Sequence, residues 1–377
     1  MTHQFRPTLS AKQDLVDIAQ ADLAAGRIER RDFLKFMLSI GALPSLAGVS
    51  TLSAQAAQSN VKEIVVANYG GDAIKHMGAA WGEPYTKDTG IKVIFDGVTP
   101  LSGKIKAMVE SGKVTWNVCD AELFVGNQLG QDILEPIDYS IVDKTMVRPG
   151  WDGKYVVANY VYSFVLAYDR TKFPNKPPAY ADFFDTKKYP GKRTLWKYQM
   201  GAAEACLLGD GVALDKLYPL DMERAIKKAR SLGKDILYWS SGAESQQMFL
   251  DKEVVMGVIW HTRANLLERD TNGRIGWTWQ QGMSCPGGWV VPKGNPAGKE
   301  AMKFVASTLI PERQLKLLST MGNGPSNPKA SAIAGKELNR IDPTFEANRQ
   351  VQFARNEDWY EKNYDDATDK WIDGISA

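Results

Sequence analysis

Apolar runs that alternate with amphipathic stretches are the feature that most constrains the fold of this chain. Three short runs, at 63–71, 90–97 and 116–121, predict buried strands. Between them, apolar residues recur at helical spacing from Ala73 to Trp81 and from Ile105 to Val109. Strand–helix–strand order of this kind predicts a parallel sheet with right-handed crossovers, and therefore an α/β fold.

A second alternating series begins at 161–169, which is apolar on both faces and predicts a central strand. Five further runs predict strands at 193–198, 236–240, 254–260, 275–279 and 287–292. A helix is predicted at 201–208, and Asp221 caps another. Ser241 and Glu244 form the capping box of a third helix. No low-complexity linker separates the two series, which favours two α/β lobes joined by several chain crossings with a cleft between them.

The first 57 residues differ in kind from the rest, and all eleven tryptophans lie from Trp81 onward. Arg30 and Arg31 precede an apolar stretch, 36–49, that is too short and too interrupted to span a membrane. Residues 54–56 then offer the small-x-small pattern of a signal-peptidase site. The order R-R-x-F-L-K resembles a twin-arginine export signal, which implies removal of residues 1–57 and delivery of the folded protein to the bacterial periplasm by the twin-arginine translocase. A surface amphipathic helix is the alternative.

Charge and hydropathy exclude several classes of partner. The 46 lysines and arginines against 44 aspartates and glutamates leave a net charge of +2, which gives no basis for nucleic-acid binding. After residue 57 the chain has no run of 18 apolar residues, the length of a membrane span. The three cysteines, Cys119, Cys206 and Cys285, are odd in number and far apart, so we expect small buried residues and no disulfide framework.

Catalytic and metal-binding motifs are absent from the sequence. After residue 57 the only histidines are His76 and His261. The sequence has no H-E-x-x-H, G-x-S-x-G, Walker or G-x-G-x-x-G motif, and no cysteine or histidine cluster with metal-ligand spacing. His261 could serve a nucleophile as a base, but a lone histidine at a strand end is more often a pocket or core residue. We therefore expect no enzyme, no cofactor and no metal.

Aromatic and polar residues coincide at the predicted strand ends. In open α/β sheets, ligands bind outside the carboxyl ends of the strands. Four of six such ends carry an aromatic beside a polar or charged residue: Tyr69 with Asp72, Phe124 with Glu122, Trp196 and Tyr198 with Lys197, and Trp260 with His261 and Arg263. Concave sites lined by aromatics and a few polar groups are typical of small-ligand pockets.

A family resemblance is carried by five stretches: TKDTGIKVIFDG, LEPID, KEVVMGVIW, VVPKGNPAGKEAMKFVASTLIPE and TMGNGPSNP. Their order and spacing resemble the periplasmic solute-binding proteins of ABC importers, and most of all the spermidine/putrescine-binding family. The resemblance implies a type II periplasmic-binding-protein fold of two lobes, each a mixed, mainly parallel sheet flanked by helices, with the ligand cleft between them. It also implies a monomeric receptor that delivers a small solute to an inner-membrane ABC permease and its ATPase.

The resemblance also places the lobe boundaries. The first lobe is expected to comprise 58–160 and about 286–325. The second is expected to comprise 161–285 and about 326–377. The crossings between the lobes are expected near 158–162 and 283–287.

The expected pocket departs from the polyamine pattern of that family. Family members place carboxylates at the strand end that matches 196–201, where this chain has Lys197. The returning crossing strand has Cys285 and no acid, and another strand end brings Arg263. Two cations around a buried diamine would be unfavourable, whereas they suit a carboxylate. The expected ligand is a small organic anion or an amino-acid-like zwitterion, with a polyamine as the alternative.

The site hypothesis gives each of these residues a role. The apolar walls are expected from Tyr69, Phe124, Tyr198, Trp260 and Trp289. Lys197 and Arg263 are expected to bind an anionic group, and Asp72 and Glu122 a cationic one. Neutral hydrogen bonds are expected from Thr99, Ser241, His261 and Asn323. Two other classes stay open: a periplasmic sensor subunit of the same fold, and an enzyme that turns over its ligand.

Overall fold

A ten-stranded mixed sheet runs through residues 61–174 and 179–376, the part of the chain that the computed structural model describes. Eight strands follow the order β2-β1-β3-β8-β4-β7-β5-β6, while β9 pairs with β4 and β10 with β8. The strands are β1 (Glu63–Ala67), β2 (Lys92–Asp96), β3 (Val118–Glu122), β4 (Val157–Asp169), β5 (Arg193–Trp196), β6 (Ile236–Trp239), β7 (Met256–Trp260), β8 (Ile275–Val290), β9 (Gly324–Pro325) and β10 (Phe353–Ala354). The twin-arginine segment predicted at residues 1–57 lies outside the described residues.

Helices connect the strands and cover the sheet. In chain order they are α1 (Asp72–Met77), α2 (Glu83–Thr89), α3 (Ser102–Glu110), α4 (Val125–Ile133), α5 (Tyr180–Phe184), α6 (Ala202–Gly209), α7 (Met222–Arg230), α8 (Gly242–Leu250), α9 (His261–Asp270), α10 (Lys299–Thr308), α11 (Pro311–Met321), α12 (Pro328–Ile333), α13 (Lys336–Asn339), α14 (Glu346–Arg349) and α15 (Glu357–Ser376). Among the described residues, none of these helices has the length and hydropathy needed to cross a bilayer.

Two long antiparallel strands, β4 and β8, connect the two halves of the sheet. β8 pairs with β3 through residues 287–290 and with β4 along most of its length, while β4 pairs with β7 on its other side. Parallel pairs β1–β2 and β1–β3 build one lobe, and β5–β6 and β5–β7 build the other. The expected two-lobed α/β fold is therefore confirmed.

The sequence predicted two strands, at 275–279 and 287–292, where the structure has one strand of 16 residues. The stretch between them is polar and contains Gly282 and Pro286, so it lacks the apolar period of a strand. β4 nevertheless supplies its backbone partners, with a register shift between Phe164 and Leu166. Pairing across the lobes, rather than local propensity, extends this strand.

Each lobe has its own aromatic core. In the first lobe Trp289 packs edge-on against Trp81, with ring centroids 5.3 Å apart. In the second lobe Trp239 stacks on Trp196, with centroids 5.5 Å apart. The three cysteines are buried in these cores, and each is free. Because large rings fill both cores, the polar side chains of the cavity lie where the strands end.

Candidate ligand-binding site

A cavity of about 30 Å³ lies where the carboxyl ends of β1, β3 and β7 meet the middle of β4. That space is the size of one or two water molecules. It is lined by Tyr69, Ala73, Met77, Asp120, Glu122, Tyr160, Tyr162, Trp260, Thr262, Arg263, Met321 and Asn323.

Asp120 is a fully buried carboxylate on β3. Its oxygens accept hydrogen bonds from Asn159 Nδ2 at 2.9 Å and from the Tyr160 hydroxyl at 2.9 and 3.0 Å. Burial raises the pKa of Asp120 to about 8, because these neutral donors offset only part of the lost hydration. Within residues 61–174 and 179–376, no side-chain cation lies within ion-pair distance of this carboxylate. A cationic group of a ligand would supply the counter-ion that favours the charged form of Asp120.

Glu122 lies two residues further along β3, so it shares the face of Asp120. Its Oε1 accepts hydrogen bonds from the hydroxyls of Tyr69 at 3.2 Å and Tyr162 at 2.9 Å. Its Oε2 pairs with Nη1 of Arg355, a fully buried arginine just before α15. This second carboxylate is thus already neutralised by the protein.

Arg263 brings a positive charge to the cavity from the first turn of α9. It is 1% exposed, and its Nη1 lies 3.4 Å from Oδ2 of Asp72. Nη2 donates to the carbonyl oxygen of Gly70 at 3.2 Å, and Nη1 to Oε1 of Gln246 at 3.3 Å. Burial lowers the pKa of Arg263 to about 10, which still leaves the guanidinium charged at neutral pH.

Aromatic rings form the walls between these charges. Tyr160 and Tyr162 are two residues apart on β4, so they share one face. Trp260 meets Tyr69 edge-on at 5.7 Å between centroids and Tyr162 edge-on at 6.2 Å. Such walls can bury methylene groups and face a cation with their π electrons.

Three polar atoms of the lining residues are buried without a hydrogen-bond partner. They are Nε1 of Trp260, Nε of Arg263 and Oδ1 of Asn323. Buried polar groups are satisfied in most native structures, so unpaired ones in a cavity indicate that a ligand or ordered water completes them.

The structure brings five of the predicted site residues to the cavity wall: Tyr69, Glu122, Trp260, Arg263 and Asn323. Asp72 is not a lining residue. It lies at the outer edge, where its carboxylate contacts Arg263 instead of being free for a ligand cation.

Three predicted residues have structural roles away from the cavity. His261 is fully buried; its Nδ1 accepts from the Ser163 amide at 2.9 Å and its Nε2 lies 2.8 Å from the Gly322 carbonyl oxygen. Trp289 belongs to the first-lobe core, where Nε1 donates to Thr308. Phe124 stacks on Tyr360 and so anchors α15.

The remaining four residues are also outside the lining. Lys197 is exposed, because it follows β5 on the solvent side. Tyr198 packs edge-on against Trp196 at 5.1 Å. The hydroxyl of Ser241 accepts from the Glu244 amide and caps α8. Thr99 lies in the loop after β2 and is half-buried.

Sequence reasoning missed Asp120, Tyr160, Tyr162 and Arg355. Asp120 stands two residues before Glu122, so strand alternation could have assigned it to the same face. The two tyrosines lie in β4, at the crossing between the lobes expected near 158–162, where no ligand contact was predicted. Nothing in the sequence near Arg355 indicated that it would return to the cleft.

The fold and its polar cavity between two lobes define a type II periplasmic binding protein. The chain belongs to the bacterial extracellular solute-binding proteins, whose family profile matches residues 80–351. Membership implies a small-molecule ligand, an ABC permease as partner and a periplasmic location. The receptor function expected from the sequence is thereby confirmed.

Proteins with described ligands resemble this chain over most of its length. It is 31% identical over 304 residues to the gamma-aminobutyric acid-binding protein of Pseudomonas aeruginosa, covering 78% of this chain and 86% of that one. A solved structure of the Atu4243-GABA receptor is 35% identical, with a TM-score of 0.75 over 83% of this chain and 97% of the other. The binding protein AgtB of A. tumefaciens R10, solved with agropinic acid, is 30% identical, with a TM-score of 0.78 over 85% and 100% of the two chains.

Proposed function

We propose that this receptor binds a small amino-acid zwitterion whose ammonium and carboxylate are separated by a short methylene chain, with 4-aminobutyrate as the representative ligand. One observation carries the proposal: Asp120 and Arg263, of opposite charge and from opposite lobes, line the same small cavity. A ligand with both charges would contact both lobes and stabilise the closed form.

The ammonium group would bind at β3. Asp120 supplies a carboxylate that no side-chain cation of the described residues neutralises, and Tyr69, Tyr160 and Tyr162 surround it. A charge-assisted hydrogen bond to a carboxylate is about twice as strong as a neutral one.

The carboxylate group would bind at the start of α9. Arg263 supplies a guanidinium, and the unpaired Nε1 of Trp260 supplies a neutral donor. Thr262 contributes a hydroxyl to the same wall. A helix N-terminus adds a favourable field for an anion.

The relatives support this ligand class, since two of them are named for gamma-aminobutyric acid and the third was solved with agropinic acid. A polyamine is the weaker alternative, because the second ammonium of a diamine would face Arg263. Of the predicted ligand contacts, Lys197 is the one whose exposure argues most directly against a role.

Calorimetric titration of residues 58–377 tests the proposal. The panel contains 4-aminobutyrate, 5-aminopentanoate, succinate, putrescine, spermidine and agropinic acid. We expect saturable binding of the amino acids and none of the diamines. Saturable binding of putrescine alone would refute the zwitterion assignment. Recovery of chemically unchanged ligand after incubation would separate a receptor from an enzyme.

We further propose that residues 1–57 are a twin-arginine export signal, that the lobes divide at the β4 and β8 crossings, and that the mature protein is a monomer. Arg30 and Arg31 before an apolar stretch support the export route. A double Arg30→Lys, Arg31→Lys variant should stay in the cytoplasm at full length. Processing and periplasmic recovery of that variant would contradict the route. Light scattering tests the monomer, and a permease encoded beside the gene would favour a transport receptor over a sensor subunit.

A further inference from the structure

Arg355 lies directly behind the acidic wall of the cavity and does not line it. Besides Glu122, its guanidinium holds both oxygens of Glu357, with Nε at 2.8 Å and Nη2 at 3.0 Å. Nη2 also donates to the carbonyl oxygen of Pro286 in β8 at 3.0 Å. The guanidinium lies over the ring of Phe124, 5.0 Å from its centroid. These contacts hold the guanidinium in one position, whereas neutralising the charge of Glu122 would need only the contact to Glu122.

The ionisation of Glu122 decides the direction of two hydrogen bonds in the cavity. A carboxylate only accepts hydrogen bonds, so the Tyr69 and Tyr162 hydroxyls must donate to Oε1 of Glu122. With their protons committed there, both tyrosines have only oxygen lone pairs left for the cavity. Tyr160 is in the same situation once Asp120 is ionised, because its hydroxyl then donates to that carboxylate.

An acceptor-only wall matches one functional group in particular. A primary ammonium has three N–H donors and no acceptor. A hydroxyl brings one donor and its own lone pairs, which would face the tyrosine oxygens unfavourably. The wall therefore selects the group at that end of the ligand by hydrogen-bond direction as well as by charge.

We propose that Arg355 is a positioning residue that sets ligand selectivity: by holding Glu122 as an ionised acceptor, it commits Tyr69 and Tyr162 to present only acceptors, so that the cavity admits an ammonium and disfavours a hydroxyl in its place. This inference rests on the proposed function. Without Arg355, Glu122 loses the guanidinium that fixes it as an acceptor, so the Tyr69 and Tyr162 hydroxyls are no longer committed to it and can turn a proton toward the ligand.

Other charged and titratable groups face this pair from the surrounding elements. In the described part of the chain they are Glu357, Asp120, Cys285, Tyr69, Tyr160, Tyr162, Tyr360 and Tyr364. Burial opposes the charge of Arg355, yet Glu357 and Glu122 together raise its pKa, so it stays protonated. Glu357 is 28% exposed and thus partly screened by water, whereas Glu122 is 8% exposed.

The test compares 4-aminobutyrate with 4-hydroxybutyrate, which carries a neutral hydroxyl in place of the ammonium, by calorimetry on the mature protein. At pH 7, Arg355→Met should lower 4-aminobutyrate affinity about tenfold or more, the value of a charge-assisted hydrogen bond. Affinity for 4-hydroxybutyrate should stay the same or rise. The preference ratio, which is the affinity for 4-aminobutyrate divided by that for 4-hydroxybutyrate, should therefore fall. Arg355→Lys should keep most of the ratio.

Two further variants separate selectivity from a folding defect. Arg193→Met removes another fully buried arginine, one that binds backbone carbonyls such as that of Phe183. It should lower the melting temperature and leave the ratio unchanged. If Arg355→Met does not fold, the Arg355→Met/Glu122→Leu double variant removes the ion pair together with the acceptor of both tyrosine hydroxyls, and it should show the same fall in ratio.

The outcomes distinguish a failure of the proposed function from a failure of this inference. If the wild-type protein binds neither probe, the proposed function and this inference both fail. If the wild-type protein prefers 4-aminobutyrate and Arg355→Met, or the double variant, keeps that preference ratio, the role of Arg355 is overturned and the proposed function stands. A proportional loss of affinity for both probes also overturns it, since a merely structural arginine would give that result.

Discussion

Arg263 and Asp72 form an ion pair across the cleft, with 3.4 Å between Nη1 of the guanidinium and Oδ2 of the carboxylate. Arg263 comes from the first turn of α9 in the second lobe, and Asp72 is the first residue of α1 in the first lobe. The guanidinium is 1% exposed, while the carboxylate is 44% exposed. One arginine thus faces the cavity and also connects the lobes.

Removing Asp72 should weaken closure more than ligand contact. In Asp72→Asn the unliganded lobes separate more readily, so small-angle scattering should show a larger radius of gyration without ligand and the wild-type value with it. Affinity should fall less than tenfold, because a partly exposed ion pair contributes about 1 kcal/mol or less. Asp88→Asn, which breaks the Asp88–Arg313 pair elsewhere, is the matched control. An unchanged radius in Asp72→Asn would contradict this role.

Removing Arg263 should abolish recognition of the ligand carboxylate. We expect Arg263→Met to lose about 10- to 100-fold in affinity for 4-aminobutyrate, the effect of one charge-assisted hydrogen bond or more. Lys197→Met should bind as the wild type does, because Lys197 is exposed. Calorimetry measures the 4-aminobutyrate affinity of both variants. Equal losses of affinity would show that Lys197 also contributes to ligand binding.

Affinity for a zwitterion should depend on pH through Asp120. The pKa of this buried carboxyl is about 8 in the unliganded protein, so below pH 8 it must lose its proton before it can bind an ammonium. Affinity should therefore fall by up to tenfold per pH unit between pH 8 and pH 6. Titrations in buffers of different ionisation enthalpy should show proton release on binding at pH 7. A flat profile would mean that Asp120 is not the acceptor.

Asp120→Asn should lose affinity for the ligand and gain stability. Because burial raises the folded-state pKa above the unfolded value of 3.8, the charged form of Asp120 costs stability, and this cost grows as pH rises from about 4 to 8. Thermal unfolding at pH 8 should show a variant stabilised by on the order of 1 kcal/mol or more. At pH 4 the two proteins should differ little. If Asp120→Asn is less stable than the wild type at pH 8, the charged form of Asp120 does not destabilise the folded protein.

His261 should affect stability and not ligand choice. Burial lowers its pKa to about 4, below the ordinary 6.5, so its stabilising neutral form is complete above pH 6.5 and lost as pH falls toward 4. His261→Phe removes both backbone contacts and should cost about 1–3 kcal/mol at pH 7, measured by urea unfolding. Between pH 6.5 and pH 4, the His261→Phe variant should lose less stability than the wild type. A changed ligand preference would place His261 in the site after all.

The local patterns that predicted strands and helices depend on side-chain period, and they were correct for most elements. The Ser241 cap is an example, since the hydroxyl accepts from the Glu244 amide as predicted. The reciprocal bond differs by one residue, because the Glu244 carboxylate accepts from the Ser240 amide. The continuous strand β8 could not be read from its sequence, because its polar middle is held by backbone pairing with two distant strands, β4 and, at Met283 and Ser284, β10.

The chain alone determined two α/β series, the positions of the strand ends and the coincidence of aromatic and charged residues there, because side-chain period and strand order are local or topological properties. Only the tertiary structure decided which charges remain free for a ligand. Glu122 pairs with Arg355, and Asp72 pairs with Arg263. Asp120 has no side-chain cation beside it in the part of the chain that the structure describes, and Lys197 is exposed to solvent. The net charge of a cavity depends on such long-range partners, and their distances are not encoded in any single stretch of sequence.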